Sequence, residues 1–316
     1  QMVALEREAN QSGLPYEVMM ERAGKGLAEI VHQKYFTGPG QIALGLVGSG
    51  NNGGDTLVAL IKLRELGWQT KAYLVKSRKP DDPLLEGFLK SGGEVKDSTE
   101  DKTSSLLKKW VKNANVILDG ILGTGIQLPL RMEISGVLKS VRSSIAGAKV
   151  VAVDCPSGID CDNGEAAKEC LRADLTVCMA AVKSGLLKLP AFKLVGEIAL
   201  VDIGLPRSLK GWGNISGEMV TSGMVKESLP ERSLDSHKGS FGTCMIVAGS
   251  VNYCGAVLLA CRGAYRIGTG LVKAAIPGAI YDSLAGQLPE ATWLLLPHQD
   301  GVISTDAALV AIQNLR

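Results

Sequence analysis

The stretch at residues 41–55, with the sequence QIALGLVGSGNNGGD, decides the fold of this chain. Its apolar run at 42–47 predicts a buried strand, and glycines follow at positions 48, 50, 53 and 54. The apolar spacing over residues 56–66 then predicts a helix after this glycine loop. A strand, a glycine loop and a helix place backbone N–H groups and a helix N-terminus against an anionic ligand. We therefore expect a nucleotide-like ligand at this loop.

The glycines at 48, 50 and 53 also satisfy the dinucleotide fingerprint G-x-G-x-x-G. That fingerprint requires an acidic residue after the next strand to bind a ribose hydroxyl, but the strand predicted at 70–75 ends in Lys76-Ser77-Arg78. The basic pair would suit a 2′-phosphate, so an NADP-dependent Rossmann oxidoreductase stays open as an alternative. Against it stands Asp55, because a carboxylate that faces a pyrophosphate is repelled. A tight turn without a ligand is a further alternative, which the two adjacent asparagines disfavour.

Composition narrows the class of protein. A chain of 316 residues predicts two domains. Its formal net charge of +2 and its 4% of aromatic residues point to neither nucleic acid nor a membrane surface as a partner. The seven cysteines lack metal-ligand spacing, and no signal peptide or membrane-spanning apolar run is visible. We therefore expect a cytoplasmic protein that acts on a small molecule.

Strands and helices alternate along the first two thirds of the chain. Further strands are predicted at 70–75, 115–118, 149–153, 175–180 and 197–201. Helices are predicted at 2–10, 18–35, 84–91, 104–112 and 134–146. This alternation predicts an α/β fold with a mostly parallel sheet covered by helices on both faces. In such a sheet, ligands lie beyond the carboxyl ends of the strands.

Two more strand ends carry a carboxylate. The segment LDGILGTG at 118–125 places Asp119 at the end of one strand, and VVAVDCPSGID at 150–160 places Asp154 at the end of another. A single aspartate in such a position is often a turn former. Because parallel strands end at the same edge of a sheet, we expect Asp119 and Asp154 to converge with the asparagine-rich loop on one crevice.

The segments GSGNNGGD, LDGILGTG and VVAVDCPSGID, in this order, resemble the YjeF amino-terminal domain, the NAD(P)H-hydrate epimerase family, over residues 1–210. The resemblance implies a Rossmann-like three-layer αβα fold. It implies interconversion of the R and S forms of NAD(P)HX, a cofactor damaged by addition of water to its dihydronicotinamide ring. It also implies a bound potassium ion, K⁺, and a homodimer or a higher homo-oligomer.

The same resemblance supplies site residues. Asn52, Asp119 and Ser157 would ligate K⁺, which prefers oxygen ligands. Asp154 would contact the hydrated ring, and we assign proton transfer to it, because inverting a carbon bonded to both a hydroxyl and the ring nitrogen moves protons. The residues that would cradle the nucleotide are Asn51, Asn52, Gly53, Gly54, Asp55, Gly123, Thr124, Gly125, Ile126, Gln127, Leu128 and Pro129.

Two further positions near these motifs are Thr56 and Lys183. The family usually has glycine where this chain has Thr56, a departure one helical step past the loop from which we expect a small effect. Lys183 follows a predicted strand, and it could either reach a phosphate or be an ordinary surface lysine.

The last third of the chain resembles a different family. After a predicted linker at 211–235, the segments HKGSFG, VAGS, YCGA and RIGTGLV resemble the start of the ADP- or ATP-dependent NAD(P)H-hydrate dehydratase, which has a ribokinase-like fold. The resemblance implies ADP or ATP as cofactor and Ala256 as a substrate-binding residue. No GAGD- or GDAD-like motif follows, so we expect residues 236–316 to form an incomplete ribokinase-like α/β domain whose dehydratase activity belongs to a longer parent protein.

One further alternative is a non-catalytic binding scaffold, as in the mRNA-decapping enhancer that shares the YjeF amino-terminal fold. A scaffold has no need of Asp119, Asp154 or the NNGGD loop, and their presence therefore favours an enzyme.

Overall fold

The structure is a computed structural model that describes residues 1–79, 81–215 and 217–315. It divides into two compact units, Gln1–Met219 and Val220–Arg316. This division falls within the segment predicted to be a linker, and the domain limits themselves stay a prediction. Within the described ranges, no helix is both long and apolar enough to cross a membrane.

A parallel sheet of seven strands, counted over the described residues, forms the centre of the first unit. Its strands are β1 (Ile42–Val47), β2 (Gln69–Leu74), β3 (Glu94–Asp97), β4 (Val116–Gly120), β5 (Lys149–Val153), β6 (Leu175–Met179) and β7 (Glu197–Val201). The order across the sheet is β3-β2-β1-β4-β5-β6-β7, with every neighbouring pair parallel. The order reverses between β1 and β4, and such a reversal opens a crevice beyond the carboxyl ends of the strands.

Helices cover both faces of this sheet. They are α1 (Met2–Gln11), α2 (Tyr16–Tyr35), α3 (Asn51–Glu65), α4 (Pro83–Lys90), α5 (Ser105–Asn113) and α6 (Met132–Arg142). One apolar cluster joins the sheet to α2 and α3 through residues such as Leu27 and Leu60, and a second joins the opposite face to α5 and α6 through Leu107 and Leu138. The predicted three-layer αβα arrangement is therefore confirmed.

The sequence prediction was wrong about the segment 51–55, which is the start of α3 and not a loop. Gly50 precedes the helix in an extended conformation. A Cβ at Gly53 would lie 2.0 Å from the carbonyl oxygen of Gly48, and one at Gly48 would lie 2.0 Å from that of Ile121. The glycines at 48 and 53 are therefore required because backbones approach each other closely, which brings the N-terminus of α3 to the crevice.

The second unit has its own parallel sheet, with the order β10-β9-β8 among the described residues. In chain order its elements are α7 (Ser222–Ser228), β8 (Thr243–Val247), α8 (Cys254–Ile267), β9 (Leu271–Pro277), α9 (Tyr281–Leu284), β10 (Thr292–Leu296), β11 (His298–Gln299), β12 (Val302–Ile303) and α10 (Ala307–Gln313). Helix α8 packs on this sheet through a core that includes Val257, Cys261 and Ile276. The order strand, helix, strand from β8 to β9 agrees with the α/β architecture expected for residues 236–316.

We predict that Gly53→Ala and Gly50→Ala differ sharply in stability, although both glycines belong to the fingerprint. A methyl group at Gly53 would overlap the backbone of Gly48, whereas a Cβ at Gly50 meets no atom within 4 Å. Urea unfolding should show a loss of about 3 kcal/mol or more for Gly53→Ala and a change within about 0.5 kcal/mol for Gly50→Ala. Equal losses in the two variants would contradict this assignment.

Candidate active site

A cavity of about 1380 Å³ opens at the crevice and is lined from the ends of β1, β4 and β5 and from α1, α2 and α3. Its volume exceeds that of ordinary small-molecule pockets, so a dinucleotide can enter it. The predicted site residues that line it are Asn51, Asn52, Asp55, Gly123, Thr124, Gly125, Ile126 and Asp154.

Other predicted residues lie near the cavity without lining it. Gly53 and Gly54 are buried beneath the helix start, where a Cβ on Gly54 would lie 2.6 Å from the sulfur of Met20. The structure thus gives these two glycines a packing role. The segment that follows β4 leaves the cavity after Ile126, and its next residues Gln127, Leu128 and Pro129 are not among the described lining residues.

The side-chain amide of Asn52 connects three parts of the site. Its Nδ2 donates hydrogen bonds to the carbonyl oxygens of Val153, at 2.6 Å, and Leu122, at 3.0 Å. Because Nδ2 is occupied in this way, Oδ1 is left for another partner, and it lies 2.7 Å from the point that a Cβ on Gly123 would take. The hydroxyl of the buried Thr56 donates a hydrogen bond to the carbonyl oxygen of Asn52 at 2.7 Å. This bond stabilises the first turn of α3.

Asp119 and Ser157 contact each other, and both Ser157 and Asn52 form hydrogen bonds with the backbone of Leu122. Asp119 is fully buried, and its Oδ2 accepts a hydrogen bond from the backbone N–H of Ser157 at 2.9 Å. The hydroxyl oxygen of Ser157 accepts one from the N–H of Leu122 at 2.9 Å. The other carboxylate oxygen of Asp119, Oδ1, is buried and has no hydrogen-bond partner among the described residues. Burial raises the pKa of Asp119, and the hydrogen bonds from Ser157 oppose that shift only in part.

A buried carboxylate oxygen without a partner is costly unless a cation neutralises it. Three oxygens lie in this part of the site, from the carboxylate of Asp119, the amide of Asn52 and the hydroxyl of Ser157. Such a set suits a hard, weakly polarising cation such as K⁺. The described residues contain no group of three or more His, Cys, Asp or Glu side chains that could hold a metal ion.

Asp154 follows β5 in the left-handed region, with φ at 65°. Its Oδ1 accepts hydrogen bonds from the N–H of Met179, at 2.9 Å, and from the ammonium group of Lys183. Lys183 also donates to the carbonyl oxygen of Met179 at 3.0 Å. Of the two alternatives left open for Lys183, the ordinary surface lysine is contradicted, because its side chain is only 9% exposed. Burial alone would lower the pKa of Lys183, but the adjacent Asp154 carboxylate raises it above its usual value.

Asp55 and Glu6 bring two further carboxyl groups to the cavity. Burial, and then the negative charges of Asp154 and Glu6, raise the pKa of Asp55 to about 8. Burial and the charge of Asp154 also raise the pKa of Glu6. Sequence reasoning missed Glu6, although one signal was present: it lies four residues after Met2, so an acid occupies the side of α1 that carries this apolar residue.

Arg78 is engaged within the protein. Its Nη1 donates to the carbonyl oxygen of Gly48 at 2.8 Å, and its Nε donates to Asp82 Oδ2 at 2.6 Å. The Arg78 side chain is only 9% exposed. It therefore holds the turn between β1 and α3, and it is not available to bind a 2′-phosphate, which weakens the oxidoreductase alternative.

Comparison with known proteins agrees with this fold. Residues 16–185 match the family described as YjeF-related protein N-terminus. The bifunctional NAD(P)H-hydrate repair enzyme Nnr of Moorella thermoacetica is 32% identical over 305 residues, which cover 93% of this chain and 56% of the relative. The enzyme of the same name from Archaeoglobus fulgidus is 36% identical over 290 residues, which cover 91% of this chain and 56% of the relative. The chain thus spans a little over half the length of these curated relatives.

One solved structure shares the fold of the first unit. The crystal structure of yeast ynu0 superposes with a TM-score of 0.53 at 20% identity, over 63% of this chain and 84% of that chain. At this identity the likeness supports the α/β fold alone.

We predict that Asp55 makes the stability of the protein depend on pH. Its pKa in the folded state, about 8, lies above the value of 3.8 expected for an unfolded chain, so the folded state holds an extra proton between these values. Stability from this group is therefore fully present below about pH 4 and decreases as the pH rises to about 8. The free energy of unfolding, measured with urea, should therefore fall less between about pH 5 and pH 8 in Asp55→Asn than in the wild-type protein. The expected difference is on the order of 2–4 kcal/mol.

The matched control is Glu65→Gln, at the other end of α3, where the carboxylate side chain is 60% exposed. This variant should keep the pH dependence of the wild-type protein. An Asp55→Asn variant with an unchanged pH dependence would show that the carboxyl is ionised in the folded protein at neutral pH.

Proposed function

Because this chain belongs to the family of YjeF-related protein N-termini, we propose that its first unit is an NAD(P)H-hydrate epimerase that interconverts the R and S forms of NAD(P)HX. The observation that supports this proposal is that two parts of the site line one large cavity. One is Asp154, which is paired with Lys183, and the other is Asn52 at the start of α3, which bonds to the end of β5. The names of the longer relatives, which describe repair of hydrated NAD(P)H, agree with it.

The anionic nucleotide portion of the substrate has to be bound by positive groups, although most of the charged side chains in the cavity are acidic. Among the described residues, its basic side chains are Lys79 and Lys183, and its acidic ones are Glu6, Glu17, Glu21, Asp55, Asp81, Asp82 and Asp154. The N-terminus of α3 has no hydrogen bond from a capping side chain in the described part of the chain. Its free N–H groups at Asn51 and Asn52 are therefore available to the pyrophosphate.

We propose that Asp119, Asn52 and Ser157 hold K⁺ next to this helix start. When bound, the cation supplies positive charge that neutralises the buried Asp119 and favours the phosphates of the substrate. Asn52 would contribute its Oδ1, because its Nδ2 is already bonded to Val153 and Leu122.

Asp154 is positioned for proton transfer. Its Oδ1 is fixed by Met179 and Lys183, so Oδ2 is the oxygen left for the substrate. Inversion of the hemiaminal carbon requires proton transfer whether the hydroxyl is exchanged or the ring is opened, and a fixed carboxylate can accept that proton.

For the second unit we propose the amino-terminal part of the dehydratase that uses ADP or ATP. Ala256 would bind substrate there, and it lies exposed in the first turn of α8, just after the turn that follows β8. The proposed domains are residues 1–210 and 236–316 with a linker between them. The homo-oligomeric state and the cytoplasmic location stay predictions from the resemblance and the composition.

The two alternatives make different predictions in solution. A hydride-transferring oxidoreductase changes the absorbance of the nicotinamide ring, whereas epimerisation of a hydrate leaves that absorbance unchanged. A binding scaffold binds the nucleotide without accelerating either reaction.

We predict that the protein converts purified R-NADHX to the S form well above the spontaneous rate, as measured by chromatography. Asp154→Asn should abolish this acceleration, a loss of at least about 100-fold, and leave nucleotide binding nearly unchanged. Binding can be followed by quenching of NADH fluorescence. Tight binding without acceleration by the wild-type protein would instead favour the scaffold, and an unchanged rate in the variant would exclude the assigned role of Asp154.

We also predict that K⁺ stabilises the protein through Asp119. At constant ionic strength, replacing choline by K⁺ should raise the Tm by several degrees, because a ligand that binds only the folded state stabilises it. Asp119→Asn should lose this response, while Asp162→Asn, at an exposed turn, should keep it. A response that persists in the Asp119 variant would place the cation elsewhere.

A further inference from the structure

Four ionisable side chains from four parts of the chain line the same cavity. Glu6 comes from α1, Asp55 from α3, Asp154 from the end of β5, and Lys183 from the segment after β6. Three carboxyl groups and one ammonium group cannot all be charged in a buried site without a net repulsion. At least one of the three carboxyl groups is therefore expected to be protonated.

We propose that Lys183 is a positioning residue that holds Asp154 as the base of the site, and that Asp55 is the acid, so that two carboxyl groups share the proton exchange. This inference rests on the proposed epimerase function and adds two residues to its chemistry. It assigns to Asp55 a role in proton transfer beyond its predicted contact with the nucleotide.

The contacts of Lys183 fix Asp154 as the ionised member. The two side chains are 9% and 10% exposed, and the ammonium group bridges Asp154 Oδ1 and the carbonyl oxygen of Met179. The N–H of Met179 donates to the same Oδ1 at 2.9 Å. Two donors on one oxygen stabilise the carboxylate form, and they also stop the side chain from rotating.

Asp55 has the opposite surroundings. It is 7% exposed, and its carboxyl group makes no hydrogen bond or ion pair with another described residue. Its charged neighbours are the carboxylates of Asp154 and Glu6 and the ammonium group of Lys183, which is already paired with Asp154. An acid that is buried, unpaired and next to two carboxylates retains its proton, in agreement with its pKa of about 8. Two carboxyl groups whose surroundings differ in this way, one hydrogen-bonded to an ammonium group and one buried without a partner, form an acid–base pair.

The pair balances the reaction when the hydroxyl is exchanged. Asp55 gives its proton to the hydroxyl oxygen as the carbon–oxygen bond breaks, so that water leaves and the lone pair of the ring nitrogen forms a carbon–nitrogen double bond. Water then adds to the opposite face of the ring, and Asp154 accepts the proton that this water loses. The proton finally returns from Asp154 to Asp55 through solvent, which restores both groups.

Other charged groups face Asp55 from the elements packed around it, and their titration must be separated from its own. At the cavity these are Glu6 on α1, Glu17 and Glu21 on α2, Lys79, Asp81 and Asp82 before α4, Asp154 after β5 and Lys183 after β6. A change in one limb of the pH–rate profile is therefore assigned by substitution and not by its midpoint alone.

The test is the pH–rate profile of epimerisation of R-NADHX by the wild-type protein and by the Asp55→Asn, Lys183→Met and Lys183→Arg variants. The wild-type rate should fall above about pH 8, where Asp55 loses its proton. Asp55→Asn should lower kcat by about 100-fold or more and remove that alkaline limb. Lys183→Met should lower kcat more than it changes KM, because Asp154 is no longer held in place. Lys183→Arg should restore part of the rate.

The matched controls are Lys90→Met and Glu65→Gln, at exposed ion pairs outside the cavity, and both should retain the wild-type profile. Infrared spectroscopy gives a readout that does not depend on turnover. The carbonyl band of a protonated carboxyl should be present at pH 7 in the wild-type protein and decrease in Asp55→Asn.

These measurements distinguish failure of the proposed epimerase function from failure of this inference alone. A wild-type protein that does not accelerate epimerisation overturns the proposed function and this inference with it. An active wild-type protein whose Asp55→Asn variant keeps both the alkaline limb and the infrared band overturns this inference alone. A Lys183→Met variant that changes only KM would show that Lys183 binds substrate and does not position Asp154.

Discussion

The hydrogen bonds of one asparagine side chain hold the crevice together. Asn52 donates to carbonyl oxygens after β4 and at the end of β5 while its own backbone begins α3. Strand ends at the switch point of a doubly wound sheet carry unpaired carbonyl groups, and burying them without donors is costly. Asn52 supplies those donors, and its orientation then leaves Oδ1 for another partner. The cation site that we propose depends on this orientation.

Electrostatics is the second constraint on the site. Most of the charged side chains that line the cavity are carboxyl groups. If all of them were ionised, they would repel an anionic dinucleotide. The structure offers two compensations, which are the ammonium group of Lys183 and the free N-terminus of α3. The K⁺ that we propose beside the unpartnered Asp119 Oδ1 would be a third. Protonation of Asp55 is a fourth. Asp154, which is held by Lys183, is the carboxylate at which proton transfer is proposed.

The parts of the fold that could be predicted from the sequence are those with local signals. β1 and β5 are buried apolar runs, and their limits were predicted to the residue. β3 was missed, because three of the four residues in its sequence EVKD are charged and it lies at the edge of the sheet, where burial imposes no pattern. That Asp119 and Asp154 stand at the ends of neighbouring strands was predictable because parallel strands end at one edge of the sheet. The partners of Lys183 and Glu6 were not, because each depends on a contact distant in sequence.

The glycine fingerprint shows why a motif has to be separated into its physical requirements. Gly48 and Gly53 are required because backbones meet there, whatever ligand lies beyond, and Gly50 has open space around it. The pattern therefore reports a close strand-to-helix turn, which many nucleotide sites share. The residues that differ from a conventional dinucleotide site are the polar ones between the glycines and after them. Asn52 bonds to the strand ends, and Asp55 brings a carboxyl group into the cavity. The chemistry of the site is thus encoded in these side chains, and the glycines only bring them to the crevice.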